Sequence, residues 1–488
     1  MILAIDQGPT GTTCLLFDEE GRIRGRAYSE FEQHFPRPGW VEHDAGEIWA
    51  VTRRVAAEAI AAAGIEGAQL DAIGITNQRE TVVAWDRATG EPLHRALVWQ
   101  DRRTAGRCDE LRTQGHEPAF RERTGLVLDP YFSGTKIEWL SRNVEGVERA
   151  AYGTIDSWLV FKLTGRHATD YTNASRTMLF DIHRRRWDEE LCELLGVEPG
   201  RLPEPLPSAS VFGTTAEFGG EVPVAGIAGD QQAALFGQAC LEPGSAKNTY
   251  GTGSFVLLNT GERAPAPPPG LLTTLACATE ERADYALEAS IFVTGAAVQW
   301  LRDGLGTIEE AAETEPMAAS LDGNDGVYFV PALTGLGSPH WDPHARGTIV
   351  GLTRGSGRAH LARAALEAIA YQTVDAVRAQ EDASGDRLAV LKADGGAVSN
   401  SWLMQFQADV LGAEVVVPEV AETTALGAAY LAGISTGLWS RERVAEMWRE
   451  AARYEPRMGE DERAVLLAGW HRALERSRGW AEPEPGRA

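Results

Sequence analysis

Short apolar, β-rich runs alternate with turn residues through the first thirty positions of the chain. Residues 2–5 (Ile-Leu-Ala-Ile), 14–17 (Cys-Leu-Leu-Phe) and 23–28 read as strands, separated by polar, glycine-bearing turns at 6–11 and 18–21. A helical period then begins after Asp44, a residue type suited to accept from exposed helix N–H groups. Glu47, three residues on, completes the pattern of a capping box, and the helix is predicted to run to about Ala63. Residues 72–75 and 82–85 return to strand. A β-meander followed by helix and strand predicts an α/β layer around a mixed sheet.

Residues 246–258 repeat this pattern without repeating its sequence: an apolar run enters Gly251-Thr252-Gly253 and leaves as a second apolar strand. The pattern predicts an internal duplication, with two related α/β units face to face, spanning residues 1–240 and 241–488. Further helices are predicted over 293–302, 358–380 and 401–411, and strands over 388–391 and 414–417. Pro265, Pro267, Pro268 and Pro269 mark a stiff, exposed connector, and the charged tail 482–488 is expected to fray. The longest uncharged stretch, 423–440, is broken by Gly427, Gly433 and Gly437. It is too short and polar to span a bilayer and reads as a buried small-residue helix.

Composition narrows the function. Of the 488 residues 43% are hydrophobic and 24% charged, the balance of an ordinary globular protein. With 46 basic against 70 acidic residues the net charge is −24, which repels nucleic-acid phosphates and anionic lipid. Neither nucleic acid nor membrane insertion is therefore expected, and an anionic substrate needs positive charge gathered at its own site. Five cysteines lie scattered without a C-x-x-C pair, which fits reduced thiols better than a disulfide framework or a zinc site. The start of the chain lacks a basic segment and a long apolar run, so a cytoplasmic location is expected.

Several chemistries are excluded by motif. The four lysines, at 136, 162, 247 and 392, never follow a glycine, so a Walker A loop is absent. Gly251-x-Gly253 lacks the third glycine of a dinucleotide fingerprint. The signatures H-R-D, D-F-G, G-x-S-x-G and H-E-x-x-H are also missing. What remains is a set of glycine turns after β-runs: Asp6-Gln7-Gly8, Gly251-Thr252-Gly253 and Asp394-Gly395-Gly396. A carboxylate beside Gly/Thr amides can hold hydrated Mg²⁺ next to a polyphosphate, and glycines admit a flat ligand close to the backbone. Asp6 equally suits an ordinary hairpin turn. The adjacent Arg79 and Glu80 can donate to one hydroxyl of a vicinal diol and accept from its neighbour, although an edge ion pair uses the same residue types. Asp230 follows a strand and opens an apolar helix, a position also common for a simple N-cap.

Five stretches carry a resemblance: Gly74-Ile-Thr-Asn-Gln-Arg-Glu-Thr81, Asp129-Pro-Tyr-Phe-Ser-Gly-Thr-Lys136, Asp170-Tyr-Thr-Asn-Ala-Ser-Arg-Thr177, Gly229-Asp-Gln-Gln-Ala-Ala-Leu-Phe-Gly-Gln238 and Asn248-Thr-Tyr-Gly-Thr-Gly253. From Ile5 to about Trp439 the chain resembles the FGGY family of carbohydrate kinases, and within it the members that phosphorylate glycerol. The resemblance implies an actin-like fold of two ribonuclease-H-like domains: α/β, with mixed sheets flanked by helices and the site in the interdomain cleft. The N-terminal domain would carry the glycerol and Mg²⁺/phosphate side, and the C-terminal domain the nucleotide side. It further implies ATP-dependent phosphorylation of glycerol to sn-glycerol 3-phosphate by a homodimer or homotetramer.

Matched residue by residue, the resemblance assigns glycerol to Arg79, Glu80, Tyr131, Asp230 and Gln231, with Trp99 and Phe255 against its carbons. Asp230 would be the general base, and Asp6 with Asp230 would hold Mg²⁺. Pro9, Thr10, Gly11, Thr13, Thr252, Gly295, Gln299, Gly396 and Asn400 match nucleotide-contacting positions. The first phosphate loop departs from the family's usual D-Q-G-T-[ST]-S-[ST]-R. Pro9 has no amide N–H to give, and Thr13 replaces an arginine that would face phosphate. The segment 218–223 is short and lacks an arginine found in fructose-bisphosphate-regulated members, and 208–218 holds no histidine, so neither known control is expected. Two alternatives stay open: an FGGY kinase for a pentulose or tetritol, and a catalytically weakened polyol and nucleotide sensor.

Overall fold

A computed structural model describes residues 1–481; the expected fraying of 482–488 falls outside the described residues. The opening meander forms as predicted from its alternation, with each strand running slightly longer: β1 (Ile2–Gln7), β2 (Gly11–Phe17) and β3 (Ile23–Glu30). Side chains on a strand alternate faces, and here both faces are buried. Leu3 and Ile5 enter one apolar cluster, Ile2 and Ala4 another. The helix α1 (Ala45–Ala62) covers the first of these with Ile48, Val55 and Ala59. Asp44 caps it through the Gly46 and Glu47 amides, but Glu47 does not complete a capping box. Its carboxylate turns outward and accepts from the Glu32 backbone N–H instead, because the chain entering the helix packs alongside.

β4 (Ala72–Asn77) then pairs in parallel with β1, and β5 (Val222–Gly229) in parallel with β4. The first sheet therefore runs β3-β2-β1-β4-β5, extended at its end by the short strand Gly213–Thr215. From the tip of β5 springs α2 (Asp230–Gly237). The strand at Val82–Asp86 leaves this sheet and joins a separate five-stranded one.

The second half repeats the plan. β6 (Ala246–Tyr250) and β7 (Ser254–Gly261) form the hairpin around the Gly-Thr-Gly turn, and β8 (Ala283–Ile291) lies antiparallel to β7. Next comes α3 (Gly295–Gln299), which continues as a wider helical turn over Trp300–Gly304. The helix expected over 293–302 thus starts two residues late, since Thr294 is committed to bonds with Gly251 and Thr252. After α4 (Arg358–Ser384), β9 (Val390–Gly395) pairs in parallel with β6. β9 begins two residues later than the predicted 388–391 and runs on into the glycine turn. α5 (Ser401–Leu411) and β10 (Glu414–Pro418) follow, β10 parallel to β9. The strand order β8-β7-β6-β9-β10 matches β3-β2-β1-β4-β5 in sequence order and in direction, the shared topology that the pattern of residues 246–258 anticipated.

The stretch beginning at 423 is the buried small-residue helix expected there, α6 (Thr423–Ser435). Although it follows β10 in the chain, it packs on the first sheet, with Leu426, Tyr430 and Leu431 joining Ile2, Ala4 and Phe17. Gly427 lets it lie flush on α2, where a Cβ would sit 1.9 Å from the Ala233 carbonyl oxygen. α2 in turn buries Leu235 against Leu257 of the second sheet, so α2 touches both halves. The five cysteines are all free and buried, as small apolar side chains. Among the described residues no helix is long and apolar enough to cross a membrane.

Candidate active site

The parallel strands of each sheet end at the cleft, and the chemistry sits on the turns that leave them. After β4 the chain passes Gln78, Arg79, Glu80 and Thr81, all nearly inaccessible to solvent. Arg79 is held in a web of carboxylates. Its Nη1 and Nη2 donate to Glu288 of β8 at 2.6 and 3.2 Å, and its Nε lies 3.2 Å from Asp230 and 3.8 Å from Glu80. Arg176 completes the group, donating to Glu80 at 2.6 Å and to Glu288 at 2.9 Å. Two guanidiniums and two glutamates thus cancel in a dry environment, where any unpaired member would be costly. Burial alone would raise the Glu288 carboxyl, but Arg176 and Arg79 outweigh it and hold it down to about 2.

Asp230 is the open member of the cluster: its side chain keeps 30% of its surface accessible. It stands on the first turn of α2 beside Gln231. Around it are apolar walls. The Arg79 guanidinium lies 5.8 Å from the Phe255 ring centre, and Trp99 meets Tyr131 edge to face at 5.6 Å. Tyr131 is steadied by Lys136, whose buried ammonium donates to the Tyr131 and Phe132 carbonyls. All seven residues matched to an acceptor (Arg79, Glu80, Trp99, Tyr131, Asp230, Gln231 and Phe255) therefore border one connected region.

Asp6, at the end of β1, faces the same place. Burial pushes its carboxyl up to about 7, and the Asp230 charge adds to the rise. Among the described residues no basic neighbour offsets this. Two neighbouring oxygen-donor carboxylates, Asp6 and Asp230, suit a hydrated Mg²⁺, which commonly uses one or two carboxylates plus water and phosphate. Among the described residues no group of three or more His, Cys, Asp or Glu gathers as a metal cage.

On the other side of the turn Gly251-Thr252-Gly253 opens a cleft of about 510 Å³. Thr252, Gly295, Gln299, Gly396 and Asn400, all matched to nucleotide contacts, line it together with Val298, Leu366, Ile369 and Leu403. The α3 N-terminus is clamped to the turn by Gly295 N donating to Gly251 O at 3.0 Å; a Cβ at Gly295 would meet that oxygen at 2.6 Å. Asn400 caps α5 by accepting from the Leu403 N–H, which fixes it at the rim. Apolar walls together with the polar side chains of Gln299, Arg302, Thr314, Glu315 and Asn400 suit a flat, partly charged ligand. Pro9, Thr10, Gly11 and Thr13 are not in this lining. They run through the β1–β2 turn into the start of β2, the turn closed by Gly8 N donating to Gly11 O at 2.9 Å, and Thr13 pairs with Asp6.

Models of the FGGY family of carbohydrate kinases match both halves, the N-terminal domain over residues 1–237 and the C-terminal domain over 246–436. The chain belongs to the FGGY family of carbohydrate kinases. It is 57% identical to the glycerol kinase of Trichlorobacter lovleyi, covering 99% of both chains, and 57% identical to that of Dechloromonas aromatica, covering 98% of both. A crystal structure of Plasmodium falciparum glycerol kinase with ADP matches with a TM-score of 0.93 at 36% identity over 98% of each chain. The fold is accordingly the two-domain α/β fold of the FGGY kinases.

Three residues of this FGGY site are absent from the matched set: Arg176, Glu288 and Lys247. Arg176 stands inside a motif that was already informative. Glu288 left a signal too, as the one charged residue in the otherwise apolar or small run 285–291, where a buried charge demands partners. Lys247, in β6, donates to Gln231 and Thr249; nothing local in the sequence pairs it with position 231.

Proposed function

We propose that this FGGY kinase transfers the γ-phosphoryl group of ATP to a terminal hydroxyl of glycerol, giving sn-glycerol 3-phosphate. The observation that carries the reading is the Arg79–Glu80–Asp230 cluster, walled by Trp99, Tyr131 and Phe255, with Asp230 its half-open member. Three adjacent hydroxyls need several donors and acceptors within a few ångströms, and the C–H faces between them need apolar contact. Residues 1–240 would supply the acceptor side, except Phe255, and residues 241–488 the nucleotide side.

In this reading Glu80 accepts from one hydroxyl and Arg79 donates to another. Asp230 takes the proton of the attacking hydroxyl, for which its exposure beside a fixed guanidinium suits it. Thr252, Gly295, Gln299, Gly396 and Asn400 hold the nucleotide, while the β1–β2 turn with Pro9, Thr10, Gly11 and Thr13 approaches its phosphates. Asp6 and Asp230 would hold Mg²⁺, which would supply charge neutralisation on the polyphosphate. The rest is positioning: little covalent work falls to the protein in phosphoryl transfer, and closure of the cleft excludes water.

A coupled ADP-release assay with glycerol, xylulose and erythritol tests the reading. Glycerol turnover with an at least hundredfold advantage in kcat/KM, and loss of about 10²–10⁴ in kcat for Asp230→Asn, are the expected results. Preference for xylulose or erythritol would assign the acceptor elsewhere in the family. Binding of polyol and nucleotide without ADP release would mark a sensor.

A further inference from the structure

Lys247 is wholly buried in β6, yet its ammonium leaves the second sheet and crosses to α2 of the first half. There Nζ donates to Gln231 Oε1, and it donates to Thr249 Oγ1 at 2.9 Å. An ammonium has donors only, so the atom of the Gln231 amide turned toward it is the oxygen. The amide's Nε2 then carries its two N–H groups elsewhere. They meet no partner among the described residues, and Gln231 is only half-buried, one residue from Asp230. We infer that Lys247 is a positioning residue that fixes the Gln231 amide with its N–H face toward the acceptor, so that the site demands a hydroxyl oxygen able to accept there.

The inference deepens the proposed glycerol reading and rests on it. Without the ammonium, the amide of a glutamine can rotate and offer oxygen or nitrogen with similar ease. With it, one orientation is chosen before substrate arrives, and the choice is made by a residue of the opposite half. Asp394 of β9, Asp230 of α2, Arg79 and Glu288 of β8 are the charged groups around Lys247; burial pulls its ammonium down to about 8, with Asp394 and Asp230 resisting, so it stays charged at neutral pH. A site with a fixed donor rejects an analogue that lacks the matching hydroxyl, because the N–H is then left unpaired against the bound ligand. Lys247 would thus act on acceptor specificity through Gln231, without touching the acceptor.

The test uses the full-length enzyme with saturating ATP and three acceptors: glycerol, propane-1,2-diol and propane-1,3-diol. For Lys247→Met we expect KM for glycerol to rise about tenfold, kcat to change less than about threefold, and KM for ATP to hold. The preference for glycerol over the worse of the two diols should fall by a similar factor. Lys247→Arg should restore most of it, and Lys247→Met should add nothing in a Gln231→Ala background. Gln231→Glu is an independent arm: its carboxylate still accepts from Lys247 but has no N–H to give, so its glycerol KM should match that of Gln231→Ala. A glycerol KM unmoved by Lys247→Met or by Gln231→Glu, or a Lys247→Met effect confined to ATP, overturns the inference while wild-type turnover of glycerol leaves the functional reading standing. A wild-type enzyme inert toward glycerol overturns both.

Discussion

Thr13 faces Asp6 across the β1–β2 ladder, and the two side chains share the face that Ile2, Ala4, Leu15 and Phe17 bury further down. An arginine there would project beside the carboxylate that we assign to the phosphate side. A charge-assisted hydrogen bond of that kind contributes about 1.5–3 kcal/mol, so the Pro9→Thr/Thr13→Arg double variant should raise kcat/KM for ATP by about tenfold to a hundredfold. An unchanged value in steady-state kinetics would mean that other groups already serve the phosphates. Asp156 gives a second residue-scale prediction, away from the cleft. It accepts from Thr154 and Thr169, and burial, reinforced by the Asp170 charge, raises it from 3.8 to about 7. A carboxyl raised on folding holds its proton longer in the native state than in the unfolded one. Its contribution is therefore favourable below pH 4 and is lost as pH rises toward 7, by an amount on the order of a few kcal/mol. Asp156→Asn should flatten that slope in denaturant titrations between pH 4 and 8 and leave the variant the more stable protein at pH 8. An unaltered slope would place the titration elsewhere.

At the scale of elements, α6 packs backbone against backbone where it crosses α2. The 1.9 Å approach that a Cβ at Gly427 would make to the Ala233 carbonyl cannot be absorbed by a side chain, since the obstacle is backbone. Gly427→Ala should push α2 off the first sheet and tilt Asp230 at its N-terminus, costing about 1–3 kcal/mol or more and lowering kcat more than it raises KM for ATP. Thermal unfolding and kinetics together check this; wild-type kcat at reduced stability would show that α2 shifts without moving its first turn. The elements themselves were legible where local chemistry dominates: the meander, the Asp44 cap, the helix at 401–411 and the small-residue helix at 423 all follow from alternation, capping and composition. Tertiary bonds overrode local signals elsewhere: Thr294, drawn to Gly251, delayed a helix start, and Glu47, drawn to Glu32, left the capping box unmade. Arg79, Glu80 and Asp230 could be singled out from their motifs. Their charge partner could not, because Glu288 meets Arg79 across 209 residues and only the fold brings them together.

For the whole molecule, the question is what makes two halves of similar topology act as one. Arg79 and Arg176 come from the first half and Glu288 from the second, and all three are essentially inaccessible to solvent. Other bonds cross the same boundary, from Gln238 to Asp394 and from Trp439 to the Glu19 carbonyl, but neither pairs opposite charges. Glu288→Gln keeps the shape and removes the charge, leaving two guanidiniums to share Glu80 and the half-open Asp230. Breaking a buried ion cluster by deleting one partner costs about 3–5 kcal/mol. That loss falls on the contact between halves rather than within either, so it should weaken their coupling as well as their stability. Calorimetry should show one transition for the wild type and two overlapping transitions for Glu288→Gln, the first at lower temperature. A variant that keeps one narrow transition and merely melts earlier would put the coupling in the α6 packing, and the charge cluster would be left with a role in the acceptor site alone.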